Sequence, residues 1–192
     1  MNRKEDIALI LLSGGKSTRM GMDKALLDIE GFSFIEKVVK VAGTAVNEIL
    51  ISSNNPVHDL KGALRVSDVK EGQGPLMGLY SCMKASQHSY FLILTCDSPL
   101  ISEALIQFLL NAHKETYSVS MLTEGNKQYP LIAVYDRQCL ATLEIYLNSG
   151  KRSVFGFLEK LKVQSIEVPP QFQAQVRNFN RPEDLKYLEK HV

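Results

Sequence analysis

Six consecutive apolar residues, Ile7 to Leu12, run straight into Ser13-Gly14-Gly15, and no other junction in the chain narrows its fold as much. An apolar run this short predicts a strand buried on both faces, hence a parallel sheet with helices on either side. Paired glycines let the backbone approach a ligand closely and aim its N–H groups at it. Two cations, Arg19 and Lys24, follow the glycines. A strand that ends in a glycine turn with cations behind it is an arrangement that holds a polyphosphate.

The turn is not a Walker A loop, because no Gly-Lys-Ser/Thr closes it. Nor is it the dinucleotide fingerprint Gly-x-Gly-x-x-Gly, since Gly14 and Gly15 are adjacent. A plain strand-to-helix turn would need neither the length nor both cations. The loop N–H groups then bind a triphosphate. Arg19 and Lys24 neutralise charge on the transferred phosphorus and the departing pyrophosphate.

Apolar runs alternate with helical patterns along the chain. Strands are expected at Ile7–Leu12, Glu48–Ser52, 63–67 and 90–96, and helices at 33–45, 75–86 and 102–113. Pro75 suits a first helical turn, and Ser102 suits an N-cap. This order predicts an α/β fold with a mostly parallel, doubly wound sheet. The second half is less regular: strands at 117–122, 131–135 and 163–168, and helices at 137–148, 153–161 and 182–190. No repeat or linker interrupts the 192 residues, so a single domain spanning 1–192 is expected.

Ligands of open parallel sheets bind beyond the carboxyl ends of the strands. The glycine loop, Asp68 and Asp97 each follow a strand, so all three should meet on one edge. A carboxylate at a buried strand's exit, as in Cys96-Asp97-Ser98-Pro99, needs a pairing, a hydrogen bond or a metal. Asp97 could cap the following helix, or bind Mg²⁺ beside phosphate oxygens. Asn180, in Asn178-Phe179-Asn180-Arg181-Pro182, could cap the last helix or add a neutral oxygen to that metal. The Gly72-Gln73-Gly74-Pro75-Leu76-Met77-Gly78 segment is a loop feeding a helix, able to cover a base or ribose.

The net charge of +1 gives no reason to expect a nucleic-acid polymer or an anionic membrane as partner. The apolar runs are too short to span a bilayer, and the first residues do not read as a signal peptide, so a cytoplasmic protein is expected. Cys82, Cys96 and Cys139 read as core thiols. His58, His88, His113 and His191 lack ligand spacing and have polar neighbours, so they are expected at the surface or at helix ends.

Taken together, these residues resemble the nucleotidyltransferases, and most closely the molybdenum cofactor guanylyltransferase family. The family pattern Leu-x-Gly-Gly-x-Ser-x-Arg-Met-Gly-x-Asp-Lys is matched by residues 12–24. The similarity continues through Gly74-Pro75-Leu76-Met77-Gly78, Cys96-Asp97-Ser98-Pro99, Tyr129-Pro130-Leu131 and Asn178-Phe179-Asn180-Arg181-Pro182. The resemblance implies a Rossmann-like nucleotidyltransferase fold that joins GMP from GTP to molybdopterin with Mg²⁺. It implies that Leu12, Ser13, Gly14 and Gly15 contact the nucleotide, that Lys24 binds phosphate, and that Asp68 contacts the guanosine. Asp97 would bind Mg²⁺, and Arg19, Lys24 and Asp97 would form the catalytic set. A family asparagine that contacts the nucleotide falls at Ser52 or Ser53, with Asn54 one or two positions later. Ser13 stands where alanine is more frequent. The enzymes that make or receive the cofactor are the protein partners implied.

Two other enzymatic readings share these motifs: cytidylyl transfer to molybdopterin, and transfer to a sugar or polyol phosphate. The Gly14-Gly15 pair favours guanine, because cytidylyl relatives usually carry alanine before the final glycine. A non-enzymatic alternative is a nucleotide-binding adaptor that delivers the cofactor.

Overall fold

The computed structural model describes residues 6–13, 23–29, 31–177 and 179. Strand β1 (Ile7–Leu12) is buried along its whole length. Its side chains alternate between two cores: Ile7, Leu9 and Leu11 join one, and Ala8, Ile10 and Leu12 the other. Successive strand side chains point to opposite faces, so an all-apolar strand must be covered twice. Parallel neighbours flank β1, namely β4 (Glu48–Ser52) and β6 (Tyr90–Thr95), and β5 (Leu64–Val66) extends the run beyond β4. Past β6 the direction changes. There β8 (Lys127–Asp136) is antiparallel to β6 and to β7 (Val119–Glu124), and β9 (Val163–Glu167) pairs parallel with β7. The seven-stranded order is β5-β4-β1-β6-β8-β7-β9. A separate hairpin joins β2 (Asp28–Ile29) to β3 (Phe32–Ser33).

Helices α1 (Phe34–Ala42) and α3 (Glu103–Ala112) cover the first core. The second is covered by α2 (Pro75–Ala85), α4 (Cys139–Asn148) and α5 (Val154–Leu158). This is the doubly wound arrangement expected. Helix α1 opens with a capping box: Glu36 N–H donates to Ser33 Oγ (3.4 Å), and Ser33 N–H donates to Glu36 Oε2 (2.8 Å). Because the box satisfies donors that the helix itself leaves open, Ser33→Ala is expected to cost about 1 kcal/mol. A urea unfolding midpoint equal to the wild type's would contradict this.

The second half departs from the sequence expectations. The strand expected at 131–135 begins at Lys127 and passes through Pro130. Pairing jumps from Met121↔Ala133 to Leu122↔Tyr129, so Pro130 to Ile132 face no residue of β7. A proline is tolerated where the ladder asks for no N–H. The helix expected at 137–148 starts at Cys139, and that at 153–161 stops at Leu158. The helix expected at 182–190 lies outside the described residues.

Of the histidines expected at the surface or at helix ends, His113 sits at a helix end, yet two of them are buried. His113 caps the C-terminus of α3 but is buried, its Nδ1 2.8 Å from Ser120 Oγ. His58 is also buried. His88 is partly exposed beside Glu48, and His191 lies outside the described residues. Cys82 and Cys139 are core thiols, while Cys96 is partly exposed. Burial pushes the Cys96 and Cys139 thiols up to about 12, and that of Cys82 further still. The thiolate is the species that reacts. Alkylation of the folded protein near pH 8 should therefore be slow at all three cysteines and complete only on unfolding, as counted by intact mass.

Candidate active site

The parallel registers align four strand ends. Leu12 sits opposite Ser52 on one side and Thr95 on the other, and Ser52 opposite Val66. Ladder hydrogen bonds continue one residue further. Ser13 N–H donates to Ser52 O (3.1 Å), Ser53 N–H to Val66 O (3.1 Å) and Cys96 N–H to Leu12 O (3.3 Å). The residues that follow these strands thus share one edge, as the sequence predicts. The chain leaves β1 outward to β4 and β5, then returns to β6 on the other side. The crevice between the ends of β1 and β6 is the topological switch point, where such sheets bind ligands.

Asp97 lies at that crevice. Its Oδ1 is buried and has no hydrogen-bond partner among the described residues. Its backbone carbonyl accepts from Phe179 N–H (2.9 Å), and Phe179 is buried against Leu27, Ile29 and Phe34. This places Phe179 beside Asp97, while Asn178 and Asn180 lie outside the described residues. Ser98 N–H donates to Thr95 O (3.3 Å), a tight turn that holds Asp97 at the strand exit. A buried carboxylate oxygen left without a proton donor is the donor type that a hard cation takes. No cluster of three or more histidine, cysteine or acidic side chains suited to a metal occurs among the described residues. A magnesium ion needs none, since one or two carboxylates with phosphate oxygens and water complete its shell.

Lys24 begins a 3-10 turn, Lys24–Leu26, capped by Asp23, whose Oδ1 accepts from Ala25 N–H (3.1 Å). Asp23 Oδ2 receives Asn55 Nδ2 (3.2 Å) and lies 2.9 Å from His58 Nε2. The Lys24 turn is thereby tied to the segment after β4. Gly14, Gly15 and Arg19 lie outside the described residues.

Asp68 follows β5, and its N–H donates to Asn54 Oδ1 (2.8 Å). Burial pushes its carboxyl up from the usual range, partly opposed by the Asn54 hydrogen bond. Next along, Val69 N–H donates to Ser81 Oγ (3.0 Å) on α2. Gln73 Oε1 accepts from Arg152 Nε (2.6 Å). The loop between Asp68 and α2 is thus anchored at both ends. The Ser52 hydroxyl faces Gly78 and Cys82 of α2, while its carbonyl meets Ser13.

Sequence reasoning missed His58, Asn55 and Arg152. Polar neighbours (Asn54, Asn55 and Asp59) argued for an exposed His58. The buried ring becomes evident only when Ser13, Asp23 and Ser53 are seen around it.

The MobA-like NTP transferase domain matches residues 9–164. The chain belongs to this family. It is a nucleotidyltransferase, and the domain match extends from β1 to β9. A molybdenum cofactor guanylyltransferase of Pseudomonas putida is 31% identical, over 93% of this chain and 95% of that protein. A relative from Clostridium perfringens, named a probable molybdenum cofactor guanylyltransferase, is 34% identical over 88% and 87%. The crystal structure of molybdopterin-guanine dinucleotide biosynthesis protein A from Archaeoglobus fulgidus superposes with a TM-score of 0.82. That match is at 21% identity and covers 96% of this chain and 97% of that one, and it establishes the fold. No helix among the described residues is long and apolar enough to cross a membrane.

Proposed function

We propose that this chain transfers GMP from GTP to the terminal phosphate of molybdopterin, releasing pyrophosphate and forming the guanine dinucleotide form of the molybdenum cofactor. The observation that carries the reading is the Oδ1 of Asp97 at the switch-point crevice, without a hydrogen-bond partner among the described residues, in a chain whose relatives bear guanylyltransferase names. Free thiols fit the reducing cytoplasm in which we expect the reaction to run.

Asp97, with Asn180, would hold Mg²⁺, which supplies charge neutralisation at the triphosphate when bound. Backbone N–H groups of Gly14 and Gly15 hold the phosphates, next to Leu12 and Ser13, whose own N–H is taken by the ladder to Ser52. Arg19 and Lys24 neutralise charge developing on the α-phosphorus and on pyrophosphate. Asp68 and the loop leading into α2 take the guanosine. The nucleophile is a phosphate oxygen already ionised near neutral pH, so the chain needs no general base. Catalysis is then positioning plus charge neutralisation.

The deciding experiment measures pyrophosphate release with each of the four NTPs, with and without molybdopterin. Release with GTP that depends on molybdopterin and Mg²⁺ is expected. Preference for CTP would replace this reading with cytidylyl transfer. GTP binding without release would replace it with an adaptor.

A further inference from the structure

We propose that His58 is a positioning residue that clasps both ends of the phosphate-binding loop. The inference rests on the nucleotidyl-transfer reading above. Residues 14–22 run between Ser13 and Asp23, and one imidazole touches both flanking side chains. Nδ1 lies 3.2 Å from Ser13 Oγ and 2.7 Å from Ser53 Oγ, and Nε2 lies 2.9 Å from Asp23 Oδ2.

Donor accounting assigns the ring. A carboxylate only accepts, so Nε2 carries the hydrogen towards Asp23. Ser53 Oγ already accepts Asn55 N–H (3.0 Å), which leaves its own hydrogen for Nδ1. A ring with the hydrogen on Nε2 serves Asp23 and takes the Ser53 hydrogen at Nδ1, with Ser13 Oγ the longer contact at the same nitrogen. The ring is only 2% exposed, so losing either contact leaves a buried polar atom unpaired. A histidine that merely filled core space would need no such pair of partners. Here both nitrogens serve residues that bracket one loop.

The consequence concerns Lys24. Asp23 fixes the Lys24–Leu26 turn through Ala25 N–H, and His58 with Asn55 fixes Asp23. Ser13 is held by the ladder to Ser52 and by the same ring. The separation of the loop's ends, and with it the reach of Lys24 towards phosphate, is therefore set by His58.

The test compares His58→Leu and His58→Gln with wild type. The leucine keeps volume and removes all three polar contacts, while the glutamine amide can still donate to Asp23. For whichever NTP the wild type turns over, His58→Leu is expected to lower kcat about tenfold to a hundredfold, because small misplacements of catalytic groups cost that much. The KM for the acceptor should stay unchanged, and His58→Gln should regain part of kcat. A folded His58→Leu protein with wild-type kcat would overturn the proposal. So would losses of kcat that track melting temperature equally in both variants. A second arm uses wild-type protein labelled with ¹⁵N-histidine, its His58 signal assigned by loss in His58→Gln. The Nε2-protonated tautomer should appear and should shift on adding pyrophosphate; a ring signal that pyrophosphate leaves unmoved would also overturn it. If the wild type prefers an NTP other than GTP, the guanylyl reading fails while both arms still decide the role of His58.

Discussion

Asp97→Asn is expected to lose nucleotidyl transfer by about a thousandfold while leaving the fold intact. The two effects separate because Asp97 contributes little to the packed structure through its side chain. Its Oδ1 is buried with no hydrogen-bond partner among the described residues, and the contact with Phe179 N–H comes from its backbone carbonyl. A buried carboxylate oxygen without a partner costs free energy, and an amide of the same shape costs less. Without metal, the melting temperature of Asp97→Asn should therefore equal or exceed that of the wild type. Adding Mg²⁺ and GTP should raise the wild-type melting temperature more than that of the variant, since only ligands that bind the native state stabilise it. An Asp97→Asn protein with Mg²⁺-dependent pyrophosphate release at the wild-type rate would remove Asp97 from the mechanism. A variant that melts far below wild type would show instead that the carboxylate is structural.

The parallel half of the fold was legible because its rules are local. An all-apolar β1 has to be covered on both faces, and short runs of the same kind at Glu48–Ser52 and in β6 have few other ways to be buried. Once those strands are parallel, their ends fall on one edge, and Asp68 and Asp97 join Ser13 there without further information. The other half was less legible because its strands depend on partners distant in sequence. The strand expected at 131–135 starts earlier, at Lys127, and only the register break opposite β7 explains how it accommodates Pro130. His58 illustrates the same limit at the site. Its polar neighbours signal solvent, yet its ring is buried by residues from three segments that meet only in the folded chain.

Gly78 shows how tightly α2 must approach the strand edge, and Gly78→Ala is expected to destabilise the protein by about 1 to 2 kcal/mol. A Cβ at this position would lie 2.1 Å from Ser52 Oγ, 3.2 Å from Ser52 Cβ and 3.4 Å from a Leu12 methyl. Alanine in a helix interior gains up to about 1 kcal/mol over glycine, so the sign depends on whether Ser52 can yield. Rotating the Ser52 hydroxyl away would break its hydrogen bond to the buried Cys82 thiol and leave the 3.2 Å contact in place. The steric cost therefore exceeds the helical gain. Ser52→Ala removes the worst contact, so Gly78→Ala in that background should be nearly neutral, and a double-mutant cycle by urea unfolding would measure the coupling. Additive effects would mean that α2 shifts as a body instead. Such a shift would reach the site, because Val69 N–H beside Asp68 donates to Ser81 Oγ on the same helix. Gly78→Val, which cannot be relieved by trimming Ser52, should then lose nucleotide affinity as well as stability, read as a raised KM for GTP.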